Sequence, residues 1–474
     1  MKRREFFKRA LTGAGAAGLA TSGLGRHMPR EFSAQRPVCD VQMKERNGMA
    51  NETLFGRRFL TLNTIIRARQ VESSRQEGRG PEEYDQHTPE NVQAFRQAVA
   101  DGWPGACVTW AWSWRALFDE RPHFRRLREL MTQYHQDYGD DVTFIPGGYF
   151  PNRYNTRTQV NLDLHEGLAR VSEMMGGGFR PQSVVSGFMA AENLRYLAEN
   201  EGIHVCQGNI FSQFAIDDQD GDGSVAYPYY PSTEHFCKPA QGKSDFIDCV
   251  NLDGWTVDFL AARREGFKDG FNSRLGLGPI ETIGAFGLEV GLRQMLASTA
   301  THFDVGFALN RWAWVTACWE IALFSAIPCL VDGLKRWCTE TRRRWPDARC
   351  VTQGQLGLVW RLQYPDNTDL DYRFVQRGTG IGGSDANLEI RWFMNRQFRL
   401  ALLRNWKADG PESVIDYTRY DLPAAEPHGI ARNWSLLGQI NQKQTRPQDR
   451  PVPLAALPEA DRQRILARYP QLHD

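Results

Sequence analysis

The sequence carries no excess of charge of either sign. Its 474 residues include 57 lysines and arginines against 56 aspartates and glutamates, so the formal net charge is +1. Nucleic-acid binding draws on concentrated positive charge that neutralises backbone phosphates. We therefore expect no nucleic-acid partner. The hydrophobic content of 41% indicates an ordinary globular chain that can bury a sizeable core.

The cysteine pattern lacks any Cys-x-x-Cys pair, although nine cysteines are present. Pairs of that spacing are typical of structural zinc sites and thioredoxin-like redox centres, so neither class is indicated. The odd count leaves at least one thiol without a partner in its own chain. Most cysteines lie in apolar runs, which is typical of buried thiols that pack as small hydrophobic groups.

The chain also lacks a hydrophobic run long enough to span a bilayer, which takes about 20 apolar residues. Its N-terminus instead has a basic start, a short Ala/Gly/Leu run and small residues after it. The run Arg3-Arg4-Glu5-Phe6-Phe7-Lys8 resembles a twin-arginine export signal. We assign residues 1–34 to this signal. We expect a periplasmic or extracellular protein whose mature chain has no stable membrane span.

After the signal, short apolar runs alternate with amphipathic segments. The runs predict strands at 59–66, 106–110, 142–145, 183–188, 203–206, 246–252 and 305–308. Strands that alternate with helices predict a parallel sheet with right-handed crossovers. Polar residues follow most of these strands, which favours a TIM-like (β/α) barrel of seven or eight strands over a doubly wound sheet.

After Pro346 the alternation of predicted strands and helices gives way to predicted strands. Strands are predicted at 351–362, 371–376, 388–393 and 398–403, with polar turns between them. A helix is predicted before the change, at 316–324. We therefore expect an α/β barrel domain over 50–346 and a smaller β-rich domain, such as a sandwich, over 347–474. Residues 440–458, rich in Gln, Pro and Arg, are expected to form an extended surface segment.

A long loop is predicted between the strands at 203–206 and 246–252, and it contains an acidic cluster. Asp218, Asp220, Asp222 and the glycine after them match the start of a calcium-binding loop. Tyr229 stands where a complete EF-hand needs a bidentate glutamate, so that motif is excluded. A structural Ca²⁺ or other divalent cation on these aspartates stays open beside a solvated acidic turn. The leading interpretation requires no cofactor.

Candidate catalytic residues follow the predicted strands. Two carboxylates that face each other across a barrel mouth are what glycosidic cleavage needs. We predict Glu192 as nucleophile or base and Asp253 as general acid, because both come directly after strands. Glu281, Glu320 and His235 are further candidates. Each has a structural alternative, such as helix capping or an ion pair.

Aromatic residues are abundant, with 14 tryptophans in the chain. Flat rings stack on the apolar faces of sugars, although they also fill protein cores. The predicted substrate-binding residues come from an aromatic block after the second strand, the long loop and the strand ends. They are Trp110, Trp112, Trp114, Tyr227, Tyr229, Tyr230, Trp255, Arg311 and Trp312.

Several runs between residues 59 and 320 carry a resemblance to a known family. They are TWAWSW, GFMAAENLRYLAE, QGNIFSQFAIDDQDGDG, YPYYPSTEHFCKPAQG, DCVNLDGWTVDFL and GPIET. These runs resemble an uncharacterised bacterial family of exported proteins. The resemblance implies a main domain similar to the barrels of glycoside hydrolases and polysaccharide deacetylases, with a small C-terminal domain.

One departure from the deacetylase branch affects the predicted chemistry. That branch carries an Asp-Asp pair on its first strand and an H-x-x-x-H-type metal pair later, whereas this first strand is LTLNTII and no such histidine pair occurs. The departure favours carboxylate-based hydrolysis of an oligo- or polysaccharide. A metal-dependent polysaccharide deacetylase or esterase, using the acidic cluster and His235, is one alternative. A non-catalytic glycan-binding protein on a barrel scaffold is the other.

Overall fold

A computed structural model describes most of the chain. The described residues are 53–73, 77–209, 223–254, 257–264, 275–431, 434–440 and 451–472. From Thr53 onward they form one compact unit. The predicted signal at 1–34, the aspartates 218, 220 and 222, and Trp255 lie outside these ranges, so their roles stay predictions.

The strands and helices of the described residues are numbered in chain order. The strands are β1 (Arg58–Ile66), β2 (Arg69–Ser73), β3 (Glu77–Glu82), β4 (Thr109–Ser113), β5 (Asp141–Ile145), β6 (Val184–Val185), β7 (Val205–Asn209), β8 (Val250–Asp253), β9 (Ala313–Cys318), β10 (Arg349–Val351), β11 (Asp371–Arg377), β12 (Leu388–Asn395), β13 (Phe398–Asn405), β14 (Ser413–Arg419) and β15 (Val452–Pro453). The helices are α1 (Pro89–Gly102), α2 (Trp114–Phe118), α3 (Pro122–Tyr138), α4 (Arg157–Met175), α5 (Ala191–Tyr196), α6 (Phe259–Arg264), α7 (Pro279–Phe286), α8 (Leu288–Ala300), α9 (Phe307–Asn310), α10 (Cys329–Arg344), α11 (Gln353–Gln363), α12 (Leu436–Ile440) and α13 (Glu459–Arg468).

The first two thirds of the chain build parallel β-structure. β1 pairs in parallel with β9 on one side and with β10 and β4 on the other, and β4 pairs with β5. β6, β7 and β8 form a second parallel ladder. Thr143 of β5 donates its hydroxyl to the carbonyl of Ser183, which precedes β6, so the two ladders meet there. The predicted mixed α/β fold with parallel strands is therefore confirmed.

Alternate residues of these strands share one inner face, because side chains along a strand point to opposite faces in turn. Ile65, Ala111, Ile145 and Val185 form one buried apolar layer, and Cys318 packs against it. The five residues come from five different strands. They form an apolar floor below the carboxyl ends of β1, β4, β5, β6 and β9.

A polar contact joins two strands that belong to different ladders. Asn63 of β1 donates its side-chain amide to Gln207 of β7, although β1 and β7 are neighbours in neither ladder. Gln353, at the start of α11, donates to the same Gln207 oxygen at 3.1 Å and to the Thr316 hydroxyl at 3.2 Å. Side chains of β1, β7 and β9 are thus connected through Gln207 and Gln353.

The chain segment that contains Tyr227 and Tyr229 precedes β8 in the sequence and contacts both β8 and β9. Tyr229 and Asn251 exchange backbone hydrogen bonds of 3.2 and 2.8 Å in an antiparallel bridge. The hydroxyl of Tyr227 lies against the backbone of Trp314 in β9, 3.4 Å from its carbonyl oxygen. The segment from 223 onward, predicted as part of a loop, therefore packs like an additional short strand at this edge.

Helix α11 covers the end at which the parallel strands begin. Its capping box at Thr352 and Gln355 starts the helix. Gly357 lets the helix approach β7, because a Cβ there would lie 2.4 Å from the Val205 side chain. The prediction of a strand at 351–362 was therefore wrong. β10 and α11 both pack with the parallel strands, although they follow Pro346 in the chain.

The strand predicted at 305–308 and the helix predicted at 316–324 also differ from the structure. Residues 305–308, predicted as a strand, belong to the helical turns Thr301–Gly306 and to α9. The next parallel strand is β9, which begins eight residues later than predicted and overlaps the predicted helix at 316–324. The polar residues that follow β1 in the sequence contain the hairpin β2–β3.

The C-terminal part is an antiparallel sheet in the order β11-β12-β13-β14-β15. Phe393, Phe398 and Leu400 on the sheet pack against Ile465 and Tyr469 of the last helix region. The expected β-rich C-terminal part is confirmed, and the described residues place its strands in one sheet rather than in a sandwich. None of the helices within the described ranges is long and apolar enough to cross a membrane.

Candidate functional site

Polar side chains stand directly above the apolar floor. Arg67, Ser113 and Glu320 each follow a member of that floor by two residues. Strand alternation therefore places them on the same inner side, at the carboxyl ends of β1, β4 and β9. This is the edge of parallel α/β structure where loops build binding and catalytic sites.

The Arg67 cluster consists of Arg67, Glu83, His87 and Glu320. The guanidinium of Arg67 donates to both oxygens of Glu83, at 2.6 and 2.9 Å, and to Glu320 Oε2 at 2.8 Å. Nε2 of His87 lies 3.4 Å from Glu83 Oε2. The exposed side-chain fraction is 4% for Arg67, 11% for Glu83 and 24% for Glu320. Glu320 is the more accessible carboxylate of the cluster.

Glu83 is the charged anchor of the Arg67 cluster. Burial raises the pKa of Glu83, but the charges of Arg67 and His87 and their hydrogen bonds outweigh burial and lower it to about 2. Glu83 is therefore ionised at neutral pH and holds Arg67 in a bidentate pair. That pair fixes the guanidinium that contacts Glu320.

A second buried carboxylate, Glu72, ties the end of β1 to the end of β4. It accepts hydrogen bonds from the backbone N–H groups of Ala68 (2.7 Å), Arg69 (3.2 Å) and Arg115 (3.0 Å), and from the hydroxyl of Ser113 (2.9 Å). Burial raises the pKa of Glu72 despite these four donors. Glu72 thus fixes the two chain segments that flank the neighbouring pocket.

That pocket, called the arginine pocket below, opens beside these strand ends. Its volume is about 330 Å³, and its polar lining comes from Arg69, Arg115, Arg121, Glu82 and Asp119. Small-molecule sites usually measure about 300–1,000 Å³, so one sugar unit fits the volume. Among these lining groups the arginines outnumber the acids by one.

The arginine pocket also has an aromatic wall. Trp114 and Phe118 line it, with ring centroids 4.5 Å apart and planes inclined by 33°. Phe118 is exposed and Trp114 is half-buried. Of the predicted aromatic block, Trp114 is thus the ring that reaches a cavity.

Glu192, the predicted nucleophile or base, is exposed in the first turn of α5. Its carboxylate lies 3.7 Å from Nε of Arg157, and 49% of the side chain is accessible. The same arginine binds the buried Glu426 at 2.9 Å, and Glu426 also accepts from the N–H groups of Ala191 and Phe236. Burial raises the pKa of Glu426 in spite of these bonds.

Asp253, the predicted general acid, is fully buried at the end of β8. It accepts a hydrogen bond from the hydroxyl of Ser224. The carbonyl of Ser224 accepts from Arg399 at 2.7 Å, and Arg399 pairs with Asp416 of the antiparallel sheet at 2.5 Å. Asp253 therefore faces a buried connection to the C-terminal sheet and does not reach a substrate in this arrangement. Its role as an acid stays a prediction.

The remaining candidates for catalysis lie elsewhere. His235 is buried, and its Nδ1 accepts from the N–H of Cys237 at 3.1 Å. Burial, with a smaller effect of Lys238, lowers the pKa of His235 to about 3, so the ring is neutral at physiological pH. Glu281 stands in the first turn of α7, where a carboxylate favours the helix N-terminus.

Most predicted stacking residues fill the core instead. Trp110, for example, packs between Phe95 and Tyr134, at centroid distances of 5.3 and 5.6 Å. The residues buried in this way are Trp110, Trp112, Tyr227, Tyr229, Tyr230 and Trp312. Their interpretation as sugar-binding surfaces is corrected, because a buried ring presents no face to a ligand. Arg311 is exposed, and its guanidinium lies 5.1 Å from the centre of the Phe55 ring.

The described residues contain no group of three or more histidine, cysteine, aspartate or glutamate side chains placed to hold a metal ion. The predicted cation site on the aspartates 218, 220 and 222 lies outside them and stays a prediction. Sequence reasoning missed Arg67, Glu72 and Glu83, because the hairpin β2–β3 reads as a polar connection. Strand alternation beyond Ile65 is the signal that points to Arg67.

Comparison with known structures gives one strong similarity. A "putative glycoside hydrolase/deacetylase" from Parabacteroides distasonis is 48% identical, with a TM-score of 0.84 over 89% of this chain and 99% of that chain. A "probable polysaccharide deacetylase" from Pseudomonas aeruginosa and the allantoinase PuuE are each 13% identical, with TM-scores of 0.41 and 0.42 over 67% of this chain and 97% of theirs. No curated protein sequence matches the chain.

Family models cover nearly all of the described chain. The model DUF3863, a domain of unknown function with solved structure, matches residues 52–394. The model DUF3864, a second domain of that kind, matches residues 399–472. The resemblance drawn from the sequence, a barrel-type main domain with a small C-terminal domain, is confirmed by these matches and by the Parabacteroides relative. The chain belongs to the DUF3863 family and carries the DUF3864 domain at its C-terminal end.

Proposed function

We propose that the protein is a glycoside hydrolase that acts on an oligo- or polysaccharide at the carboxyl ends of its parallel strands. The observation that carries the proposal is the Arg67 cluster, which presents a partly exposed carboxylate at the ends of β1 and β9. The description of the Parabacteroides relative as a glycoside hydrolase/deacetylase supports the same class of substrate.

Glycosidic cleavage needs two carboxylates on opposite sides of one bond. Glu83 is ionised and bound at both oxygens by Arg67, which suits an orienting role. Glu320 is the reacting carboxylate of the proposal, because it has accessible surface and a fixed charge partner. The exposed Glu192 is the proposed second carboxylate, in place of the buried Asp253.

The proposal includes the closure of seven strands, β1 and β4 through β9, into one barrel. Asn63 and Gln207 touch across the enclosed space, which supports closure. Gly254, just after β8, lies so close to Thr316 of β9 that a Cβ would approach its methyl group to 2.3 Å. In a closed barrel the ends of β6 and β9 lie on different sides of the mouth. The proposal places Glu192 and Glu320 on opposite sides of one cleft.

In the proposed mechanism Glu320 acts as nucleophile or base and Glu192 protonates the departing glycosidic oxygen. Arg67, held by Glu83, keeps the Glu320 carboxylate in one orientation, and orientation of a reacting group lowers the entropic part of the barrier. The apolar floor below keeps water from the underside of the site. The separation of the two carboxylates determines the stereochemical outcome. A separation of about 5–5.5 Å gives retention, and one of about 6.5–9.5 Å gives inversion.

The test is release of reducing ends from a panel of purified polysaccharides. For the active substrate we expect Glu320→Gln to lower kcat by about 10²–10⁴-fold, the usual effect of removing an acid or base. Glu289→Gln is the matched control, because Glu289 on α8 forms an exposed ion pair with Arg336 on α10. Unchanged turnover by Glu320→Gln refutes the assignment.

A deacetylase is the second candidate, because the description of the Parabacteroides relative includes that activity. The same panel separates the two, since deacetylation releases acetate and a metal-dependent enzyme loses activity with EDTA. A non-catalytic glycan-binding protein binds the glycan without any product, and its affinity survives Glu320→Gln.

We also propose export through the twin-arginine route, on the strength of the N-terminal run with Arg3 and Arg4. Replacement of both arginines by lysine is expected to keep the protein inside the cytoplasm. Cell fractionation measures this. Equal export of the lysine variant contradicts the proposal.

A further inference from the structure

We propose that the arginine pocket is a subsite for an anionic sugar unit, such as a uronic acid, of the glycan. The inference rests on the proposed glycan substrate and narrows it to acidic polysaccharides. It comes from three features of the pocket: its charge, its aromatic wall and the buried carboxylate that fixes both sides.

The charge of the pocket favours an anion. The positive charge of Arg121 is already balanced by two ion pairs, with Glu82 at 2.5 Å and with Asp119 at 2.6 Å. Arg69 lies 3.9 Å from Glu82 and keeps 34% of its side chain exposed. The partly exposed Arg69 side chain would therefore bind a carboxylate on a ligand.

The guanidinium geometry defines the class of anion. Arginine presents a planar set of N–H donors that matches a carboxylate or a sulfate through two parallel hydrogen bonds. The Arg69 side chain donates to the carbonyl of Gly80 through Nη1 at 3.2 Å, so one arm is oriented by the β2–β3 hairpin. A preoriented guanidinium loses less entropy when it binds.

The aromatic wall distinguishes a sugar from a simple anion. Trp114 and Phe118 present ring surface to the same cavity as the arginines. Sugar rings have apolar C–H faces that pack on flat aromatic groups. An inorganic anion has no such face. A pocket with both kinds of wall therefore fits a sugar ring that bears a charged group.

Glu72 makes the pocket a rigid site. Its carboxylate binds the backbone N–H groups of Arg69 and Arg115 and so fixes the two segments that supply these arginines. Glu72 is thus a positioning residue for the pocket. Arg69 also follows Arg67 by two residues in the chain. The inference therefore places successive units of one glycan at the pocket and at the Arg67 cluster.

Calorimetric titration of the full-length Glu320→Gln variant tests the subsite without turnover. The probes are tetragalacturonate, maltotetraose as the neutral control and a sulfated carrageenan tetrasaccharide. We expect the anionic probes to bind at least tenfold tighter than maltotetraose. Adding Arg69→Gln should weaken the anionic probes by about 10–100-fold, the range for a charge-assisted hydrogen bond, and leave maltotetraose unchanged. Arg125→Gln, an exposed arginine on α3, should change nothing.

The outcomes separate this inference from the proposed function. Equal affinity for neutral and anionic probes, or unchanged affinity after Arg69→Gln, overturns the subsite even if the wild-type protein cleaves a neutral glycan. Preference for galacturonate over the sulfated probe identifies the anion as a carboxylate, and the reverse preference identifies a sulfate. Selective anionic binding together with no cleavage of any glycan by the wild-type protein supports the subsite and refutes the hydrolase proposal.

Discussion

Glu83 and Glu320 contact the same guanidinium group, yet their surroundings give them different roles. Glu83 is bound at both oxygens and has its pKa lowered to about 2, so it works as a permanent counter-charge. Glu320 accepts a hydrogen bond of 2.8 Å from Arg67 and keeps 24% of its side chain accessible. In the proposed mechanism the more exposed Glu320 reacts, and the more buried Glu83 supports it.

The buried His302 should make the stability of the protein depend on pH. Burial lowers the pKa of this ring from 6.5 to about 3 in the folded state. The unfolded chain therefore binds a proton below about pH 6.5 that the folded chain does not bind until about pH 3. Since the unfolded state then holds more protons, the free energy of unfolding should fall as the pH falls through this window.

His302→Phe should reduce that dependence, because phenylalanine does not titrate and packs beside Phe374 as the imidazole does, at 5.0 Å. Urea unfolding at intervals from pH 4 to pH 7 measures the slope of the free energy of unfolding against pH. His165→Gln, at a largely exposed position, is the control and should leave the slope unchanged. An equal slope in the His302→Phe variant and the wild type contradicts the prediction.

At the scale of elements, the continuous apolar runs were the reliable part of the sequence. β1 and β5 lie close to their predicted positions, because strands covered on both faces leave a strong local pattern. β9 was misplaced, since Trp314, Val315 and Ala317 belong to a run that also has helical spacing. A short apolar run does not distinguish the two structures by periodicity alone.

Helix α11 was predicted as a strand for a related reason. Its apolar run includes Val359 and Trp360, and residues of both types are common in strands. Two glycines within it are explained only by the tertiary structure: Gly354 and Gly357 allow contact with Gln182 and Val205. Such close packing depends on residues more than 100 positions away, which a local pattern does not contain.

A glycine substitution tests the packing of α11. Gly357→Ala should destabilise the protein by about 1–3 kcal/mol, because the added Cβ meets the Val205 side chain at 2.4 Å in a well-packed core. The gain in helix propensity, about 1 kcal/mol, offsets only part of this cost. Thermal unfolding measures the change in stability.

Two further variants sharpen that measurement. Gly410→Ala, where an added Cβ meets nothing within 4 Å, is the control and should be nearly neutral. Val205→Ala combined with Gly357→Ala should recover part of the lost stability, because the smaller side chain makes room for the new methyl group. Without such recovery, the contact with Val205 is not the cause of the destabilisation.

At the scale of the whole molecule, the site was only partly predictable from the sequence. Glu192 and Glu320 were recognisable because they follow strands. Glu72 and Glu83 were not, since they lie on and after a hairpin with no apolar pattern of its own. Asp253 satisfied the same strand-end rule, but its surroundings come from the C-terminal sheet, which is remote in the sequence.

The connection between the parallel strands and the C-terminal sheet contains a buried ion pair. Arg399 and Asp416 are both 0% exposed, and Arg399 also binds the carbonyl of Ser224, whose hydroxyl donates to Asp253. The pair thus joins a strand of the antiparallel sheet to the end of β8. Removal of one charge leaves the other buried without its counter-charge, which is more costly than removal of both.

Arg399→Met should therefore lower the free energy of unfolding by about 3–5 kcal/mol, whereas the double variant Arg399→Met with Asp416→Leu should recover much of that loss. Guanidinium unfolding followed by tryptophan fluorescence measures both, since the rings are spread over both sheets. Arg419→Met is the matched control, because its ion pair with Asp421 is partly exposed and should be worth less than about 1 kcal/mol. A double variant that is less stable than Arg399→Met alone would show that Asp416 has a further structural role. Equal stability of Arg399→Met and Arg419→Met would refute the buried connection as the link that holds β8 to the C-terminal sheet.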